Sequence, residues 1–366
     1  MRHALESYEL DIKAVGPIFV GSGYEIQKKE YVFLNKNTVG VIDVEKLYQL
    51  AKKRHLTTDF ENFMLKDVRE DLNHWSIRNK IPMSELEKCM KYTMNAGDIQ
   101  MEKGRTQIMA CAVDPYGNPY IPGSSIKGML RTVLLCADIL RNAEKYESEK
   151  RSIFAALGDE QARRNTLLAK NIRSVEDRAF HTLRRSDKQA DAVIDKLSGV
   201  IVSDSEPLSR KDIILCPKGE LYTDGSYKTL PLLRECVKPG TVIKSMITID
   251  QTISKLQKEE IEEAIRLFYD MYYQVFQRKF PRNEKGNDNT VFLGGGSGFV
   301  SKTMIYALFE EKEGIKVTTD IFNRTQVPKK HKHYQDRELG VSPHILKCTK
   351  YNGKEYMMGQ CELTIH

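Results

Sequence analysis

Apolar and polar residues alternate through YELDIKAVGPIFVGSG, and the run closes in a Gly-Ser-Gly turn. A two-residue period is that of a half-buried strand, so this segment predicts a strand feeding a tight loop. EYVFLNKNTVGVID predicts a hairpin about residues 35–37. From about residue 44 to 95 the period changes. VEKLYQLAKKRH, FENFMLKDVREDLNHW and MSELEKCMKYTM repeat their apolar residues at helical spacing, which predicts a helical insertion between early strands.

RTQIMACAV then predicts a strand and DPYGNPY a turn, before a helix from Ser124 to about Arg141. Helical patterns return in EKYESEKRSIFAALG and around residues 178–183. SGVIVSDSEPL, DIILCPKGELYT, LPLLRECVKPG and TVIKSMITID read as strands. A long helix is expected over about 254–278. NTVFLGGGSGFVSKTMIYALF gives strand, glycine loop and helix, and KEYMMGQCELTIH returns to strand alternation. This order lacks the strict alternation of a doubly wound parallel sheet. It suits an α+β chain of two ferredoxin-like (RRM-like) halves with mostly antiparallel sheets. Each half holds a strand, a small-residue loop and a basic helix start.

Charge adds a weak preference for an anionic partner: 57 basic residues against 50 acidic ones give a net +7. No apolar run approaches the roughly 18 residues of a membrane helix. The start, MRHALESYELDIKAV, has neither an apolar core nor a small-residue cleavage site, so no secretory leader is expected. The seven cysteines (Cys89, Cys111, Cys136, Cys216, Cys236, Cys348, Cys361) are scattered, with no C-x-x-C pair. Reduced thiols in a cytoplasmic protein are expected, not a disulfide framework or a zinc knuckle.

Three small-residue loops carry the candidate chemistry. In PYIPGSSIKGMLRTVLL, Pro122 and Gly123 set a turn, and Ser124 or Ser125 can cap the helix. The remaining free amides and the helix dipole suit an anion. Lys127 and Arg131, four apart, share one face, so a phosphate would sit over Ser124, Ser125 and Lys127. The alternative is an ordinary capped helix with two solvated cations. In FLGGGSGFVSKT, Gly294, Gly295, Gly296, Ser297 and Gly298 can turn successive amides toward a phosphate beside Lys302. A P-loop needs glycine immediately before Lys-Thr, and Ser301 stands there, so nucleotide hydrolysis is excluded. A phosphate cradle or a glycine hinge remains. Gly21, Ser22 and Gly23 form the third loop, with Lys28 and Lys29 just beyond.

The acids and histidines offer less. Asp204, at a strand end, is a metal ligand or a turn residue bonding its own backbone. His331 and His333 in PKKHKHYQDR can bind metal, but no third ligand is near in sequence, and a basic loop touching phosphate is the favoured reading. No Ser–His–acid pattern, H-E-x-x-H or pair of catalytic carboxylates appears. No catalytic residue, metal or cofactor is assigned.

The glycine turn after the first strand, PGSSIKGMLR opening a central helix, and GGGSGF near the end together resemble the RAMP superfamily of CRISPR systems. LPLLRECVKPGT and FLGGGSGFVSKT narrow the resemblance to the Csm family, and to the fifth subunit of the type III-A effector complex. The resemblance spans the chain except the helical insertion. It implies an N-terminal RAMP domain over 1–200, with the insertion at about 44–95, and a C-terminal one over 201–366. It implies a non-catalytic subunit that caps the 3′ end of the guide RNA and supports its maturation and antiviral defence. Its implied partners are guide RNA, target RNA, other Csm subunits, above all the backbone RAMP subunit, and host nucleases. The three loops would then line one groove for the guide backbone. The rival reading is a metal-dependent guide-processing endoribonuclease of the same superfamily, using Asp204 or a histidine.

Overall fold

The computed structural model describes residues 4–66, 70–97, 99, 107–159, 161, 163–183, 194–281 and 284–366. The chain opens with strands Leu5–Ala14 (β1), Gly21–Ile26 (β2), Tyr31–Asn35 (β3) and Thr38–Ile42 (β4). Helices Val44–Lys53 (α1), Thr57–Leu65 (α2), Leu72–Arg78 (α3) and Met83–Glu87 (α4) follow, then strands Met90–Asn95 (β5) and Gln107–Cys111 (β6). Gly123–Arg141 (α5), Glu147–Gly158 (α6) and Ala169–Phe180 (α7) precede the strands Val200–Val202 (β7), Ile213–Tyr222 (β8), Tyr227–Val237 (β9) and Val242–Asp250 (β10). The last third holds Lys258–Val275 (α8), Thr290–Phe292 (β11), Ile305–Leu308 (α9), Glu311–Arg324 (α10) and Asp336–Leu339 (α11). It ends in Ile345–Tyr351 (β12), Lys354–Met357 (β13) and Gln360–Ile365 (β14).

The strands form two sheets. The first is five-stranded, ordered β11-β14-β1-β10-β7, and antiparallel throughout. β1 sits at its centre because its alternation gives it a continuous apolar face: Leu10 and Ile12 are buried while Ser7 and Glu9 are exposed. That face, with Ile243 and Ile247 of β10, packs on Ile126, Leu130 and Val133 of α5 and Ile261, Ile265 and Phe268 of α8. The second sheet has nine strands, running β2-β6-β9-β8-β5-β4-β3 with β12 and β13 added beside β8. It is antiparallel except where β6 meets β9 and β5 meets β8. The fold is therefore α+β with mostly antiparallel sheets, of the two-ferredoxin-like type expected. Both sheets draw strands from either side of residue 200, so pairing crosses the division expected between 1–200 and 201–366.

The insertion has its own core of Leu47, Ala51, Phe60, Phe63, Leu72, Trp75 and Leu86. Trp75 stacks on Phe63 with ring centroids 5.1 Å apart, and its indole N–H donates to Asp59 at 2.9 Å. The helical pattern ends earlier than the sequence suggests. Residues 90–95, expected within the insertion, are strand β5, which pairs with β4 and touches β8. Six residues are too few to separate the two periods, and a free ladder beside β4 decided the outcome. The expected strand RTQIMACAV is β6 from Gln107 onward; Arg105 and Thr106 lie outside the described residues. KEYMMGQCELTIH is two strands, not one, broken at Gly359, whose φ of +76° turns the chain. All seven cysteines are free and buried, as the scattered spacing suggests.

Candidate nucleic-acid interface

The start of α5 is a clamped helix end. Neither Ser124 nor Ser125 caps it: the N-cap position is Pro122, and no side chain of its own turn bonds the helix. The cap comes from 80 residues away. Asp204 accepts the Gly123 N–H at 2.7 Å, and Ser205 Oγ accepts the Ile121 N–H at 2.9 Å. Gly123 is required there, because a Cβ would stand 2.3 Å from the Val202 carbonyl oxygen. Asp204 thus serves as a helix cap that sequence reading could not assign, since its partner is remote in the chain.

Lys127 and Arg131 share a helix face, as their spacing dictates, but that face meets β7 and the segment before it. The Lys127 ammonium donates to the Val200 carbonyl at 2.7 Å. It lines a small apolar pocket with Leu130, Leu197, Ile247 and Ile261. Burial lowers its pKa, an effect Asp195 opposes and Arg131 reinforces. Arg131 bonds Asp195 at 2.7 Å and Glu176 at 3.2 Å, and lies over the Phe180 ring at 4.4 Å. Both cations therefore have partners inside the fold.

The glycine loop is built differently. It leaves β11 and packs on the segment between β1 and β2: Gly295 N–H donates to the Phe19 carbonyl at 2.5 Å. A Cβ on Gly294 would come within 2.2 Å of that oxygen. Gly294, Gly296 and Gly298 have φ of +83°, +85° and +100°, the left-handed region that a cradle of turned amides needs. Ser297 is buried and bonds Gly294 and Ser301, so it braces the loop from beneath. Gly21 packs on the tip of the same Phe19 ring, where a Cβ would meet Cζ at 2.8 Å. Ser22 and Gly23 are exposed beside it, and Ser22 Oγ donates to the Ala110 carbonyl. The structure thus joins the Gly21–Gly23 loop and the Gly294–Gly298 loop at Phe19.

It sets the α5 start apart. The glycine loop follows β11 and the α5 start is held at β7, the opposite edges of the five-stranded sheet. Four strand spacings separate those edges, roughly 19 Å.

Four cations gather round the glycine loop. A Cβ on Gly296 would touch Arg234 Nη1 at 2.7 Å, and one on Gly298 would lie 3.6 Å from the Lys347 stem. The Arg234 guanidinium sits 5.4 Å from the Phe19 ring centroid. Its buried Nε has no hydrogen-bond partner. Burial pulls the Arg234 pKa down, with only the thiols of Cys236 and Cys216 opposing. Lys302 reaches solvent, yet surrounding protein and then Arg234 lower its amine. Burial, then Lys347, lower Lys218, an effect that Glu220 opposes and Arg234 reinforces. Lys347 alone has a counter-ion, Glu220 at 2.7 Å. Among the described residues no carboxylate pairs with Arg234, Lys218 or Lys302.

Arg234, Lys218 and Lys347 were not among the expected residues. The available signal was a basic residue inside an otherwise apolar strand, LPLLRECV for Arg234 and LCPKGEL for Lys218. Such a charge is costly in a sheet unless something outside pairs with it.

The profile of the RAMP superfamily matches residues 11–301, and the chain belongs to that superfamily. More narrowly, it is 28% identical to the CRISPR system Cms protein Csm5 of Mycobacterium tuberculosis (strain ATCC 25618 / H37Rv), over 100% of this chain and 99% of that one. It is 26% identical to the protein of the same name from Streptococcus thermophilus, over 86% and 84%. Its fold matches a chain of the cryo-EM Csm–crRNA–target RNA ternary complex of a type III-A CRISPR-Cas system. That match has a TM-score of 0.62 and 18% identity, over 98% of this chain and 100% of that one. It also matches the crystal structure of T. onnurineus Csm5 with a TM-score of 0.62 and 17% identity, over 96% and 99%.

Proposed function

We propose that this chain is a non-catalytic RNA-binding subunit of a type III-A Csm effector complex, holding the guide RNA backbone at the glycine loop. The observation that carries the proposal is the trio Arg234, Lys218 and Lys302, concentrated beside turned backbone amides without carboxylate partners. A phosphate backbone supplies the missing negative charge, and its oxygens accept from amides and guanidinium alike. Phe19, under the guanidinium, keeps that side chain extended toward the loop. The similarity to Csm5 proteins supports a place in a Csm complex; on this reading the chain would sit at the 3′ end of the guide, beside the backbone RAMP subunit, where host nucleases would trim the RNA. Target RNA would be met through the guide.

The nuclease rival needs a free acid. Asp204 is committed to the Gly123 amide and lies at the far edge of the sheet from the cradle. Labelled guide precursor incubated with the purified protein should stay intact with and without Mg2+ or Mn2+. Discrete metal-dependent products lost in Asp204→Ala would reverse the assignment. In cells, complexes assembled without this subunit should carry guides left long at the 3′ end. Guides of normal length would remove the 3′-end role.

A further inference from the structure

Residues 321–340 bury little apolar surface beyond Ile321 and Phe322, which pack at the end of α10. Of these 20 residues only Asp336 is buried, with 0% exposure. Three donors converge on its carboxylate. His344 Nδ1 lies 2.5 Å from Oδ1, His333 Nδ1 lies 3.1 Å from Oδ2, and Ser342 Oγ donates to Oδ2 at 2.6 Å. His344 is itself buried at 4%. No lysine or arginine among the described residues pairs with Asp336. The i,i+3 spacing of His333 and Asp336, across a 3-10 turn into α11, sets the two on one side. The chain then returns to bring His344 in from the start of β12.

We infer that His333, Asp336 and His344 form a structural site for a borderline divalent cation, of the zinc class, that staples residues 329–344 to the body of the protein. One donor atom from each residue lies within 4.8 Å of the others. Two imidazoles with one carboxylate suit zinc, nickel, cobalt or ferrous iron rather than magnesium or calcium, which prefer all-oxygen shells. In a tetrahedral site with bonds near 2.1 Å, donors stand roughly 3.4 Å apart. The two histidine nitrogens, 2.5 and 3.1 Å from the carboxylate oxygens, therefore move away from them by less than about 1 Å on binding. Each neutral imidazole carries its proton at Nε2 in the bound form, leaving the Nδ1 lone pair for the metal. His331, parallel to His333 with centroids 6.0 Å apart, is the nearest further imidazole for the fourth position, which water fills otherwise. The burial of Asp336 and His344 leaves no room for a substrate, so the role is structural. A segment that buries little apolar area is the kind a metal can anchor. What it anchors is the run Lys329, Lys330, His331, Lys332, next to Glu220 and Lys347 at the margin of the glycine loop.

The test is zinc titration of the chelator-treated full chain, followed by calorimetry and elemental analysis, with limited proteolysis of residues 329–344 as a second readout. One zinc per chain and slower cleavage of that segment are expected. His333→Ala, checked for folding by circular dichroism, should weaken zinc binding by at least about tenfold and abolish the protection. His74→Gln, on an exposed histidine elsewhere, should change neither. Cobalt in place of zinc should give visible ligand-field bands without the near-ultraviolet charge transfer of a thiolate. Absence of stoichiometric zinc, equal affinity in His333→Ala, or a thiolate band pointing to the buried cysteines would each overturn the site. Should Asp336→Asn fail to fold, wild type against His333→Ala decides alone. None of these readouts involves RNA, so the outcome is separable from that of the RNA-binding proposal.

Discussion

The α5 start and the glycine loop use the same materials, small residues followed by cations, and end in opposite electrostatic states. At α5, Asp204 takes the Gly123 amide, Val200 takes Lys127, and Asp195 and Glu176 take Arg131. At the glycine loop, Arg234, Lys218 and Lys302 crowd one another, with Glu220 already engaged by Lys347. The difference lies in where the counter-charge is: the fold supplies it at the α5 start and leaves it missing at the glycine loop. Cations with partners inside the fold already have their charge offset, whereas a group without carboxylate partners keeps a mutual repulsion that an anionic ligand would offset.

The sharpest way to break this comparison is Arg234→Ala. A charge-assisted contact is worth about 1.5–3 kcal/mol, so guide RNA affinity should fall roughly 10- to 100-fold. The slope of log affinity against log salt should flatten by about 0.7 for the lost phosphate contact. Filter binding at several salt concentrations reads both, and an unchanged slope would remove Arg234 from the interface.

Next comes Gly296. Alanine there is strained by the positive φ and pushes on the Arg234 guanidinium; valine adds the resistance of a branched Cβ to that backbone angle. RNA affinity should fall about tenfold for Gly296→Val and less for Gly296→Ala, with circular dichroism unchanged in both. Equal, wild-type binding by folded Gly296→Val would reduce the loop to a hinge.

The paired change Lys127→Ala with Arg131→Ala should act the other way. It strands the carboxylates of Asp195 and Glu176 and uncovers the Phe180 ring. A loss of about 1–2 kcal/mol is expected, seen as a Tm lower by a few degrees. RNA affinity should stay within about twofold. A large affinity loss at unchanged Tm would return these two residues to the interface.

The smallest effect is on pH. Burial and neighbouring cations lower the amines of Lys218 and Lys302, so they lose their charge before an ordinary lysine does. RNA affinity should weaken as pH rises toward the ordinary lysine range, and Lys302→Arg should flatten that trend. For the RNA-free protein the sign is opposite. Between the lowered folded pKa and the ordinary unfolded one, the unfolded chain holds more protons, so these lysines make stability rise with pH. Chemical denaturation at graded pH measures that slope.

Most elements could be read from local patterns, because period-two and helical alternation reflect which side of a segment is buried. β1, β8, β10, α5 and α8 lie where alternation and helical spacing place them. The glycine loop was legible too, since a run of glycines next to a strand has few uses other than positive φ or close approach. Residues 90–95 were not, because six residues fit either period and the free edge of β4 selected strand.

What the sequence by itself determined is the α+β class, the insertion, the small-residue loops and the absence of a disulfide framework. These follow from composition and from spacing within a few turns of chain. The tertiary structure decided which cations are spoken for. Asp195, Glu176 and Asp204 neutralise the α5 start from 45 to 81 residues away. β8, β9 and β12 bring Lys218, Arg234 and Lys347 to one corner. Coulomb interaction depends on distance through space, and strand pairing sets that distance without regard to separation along the chain.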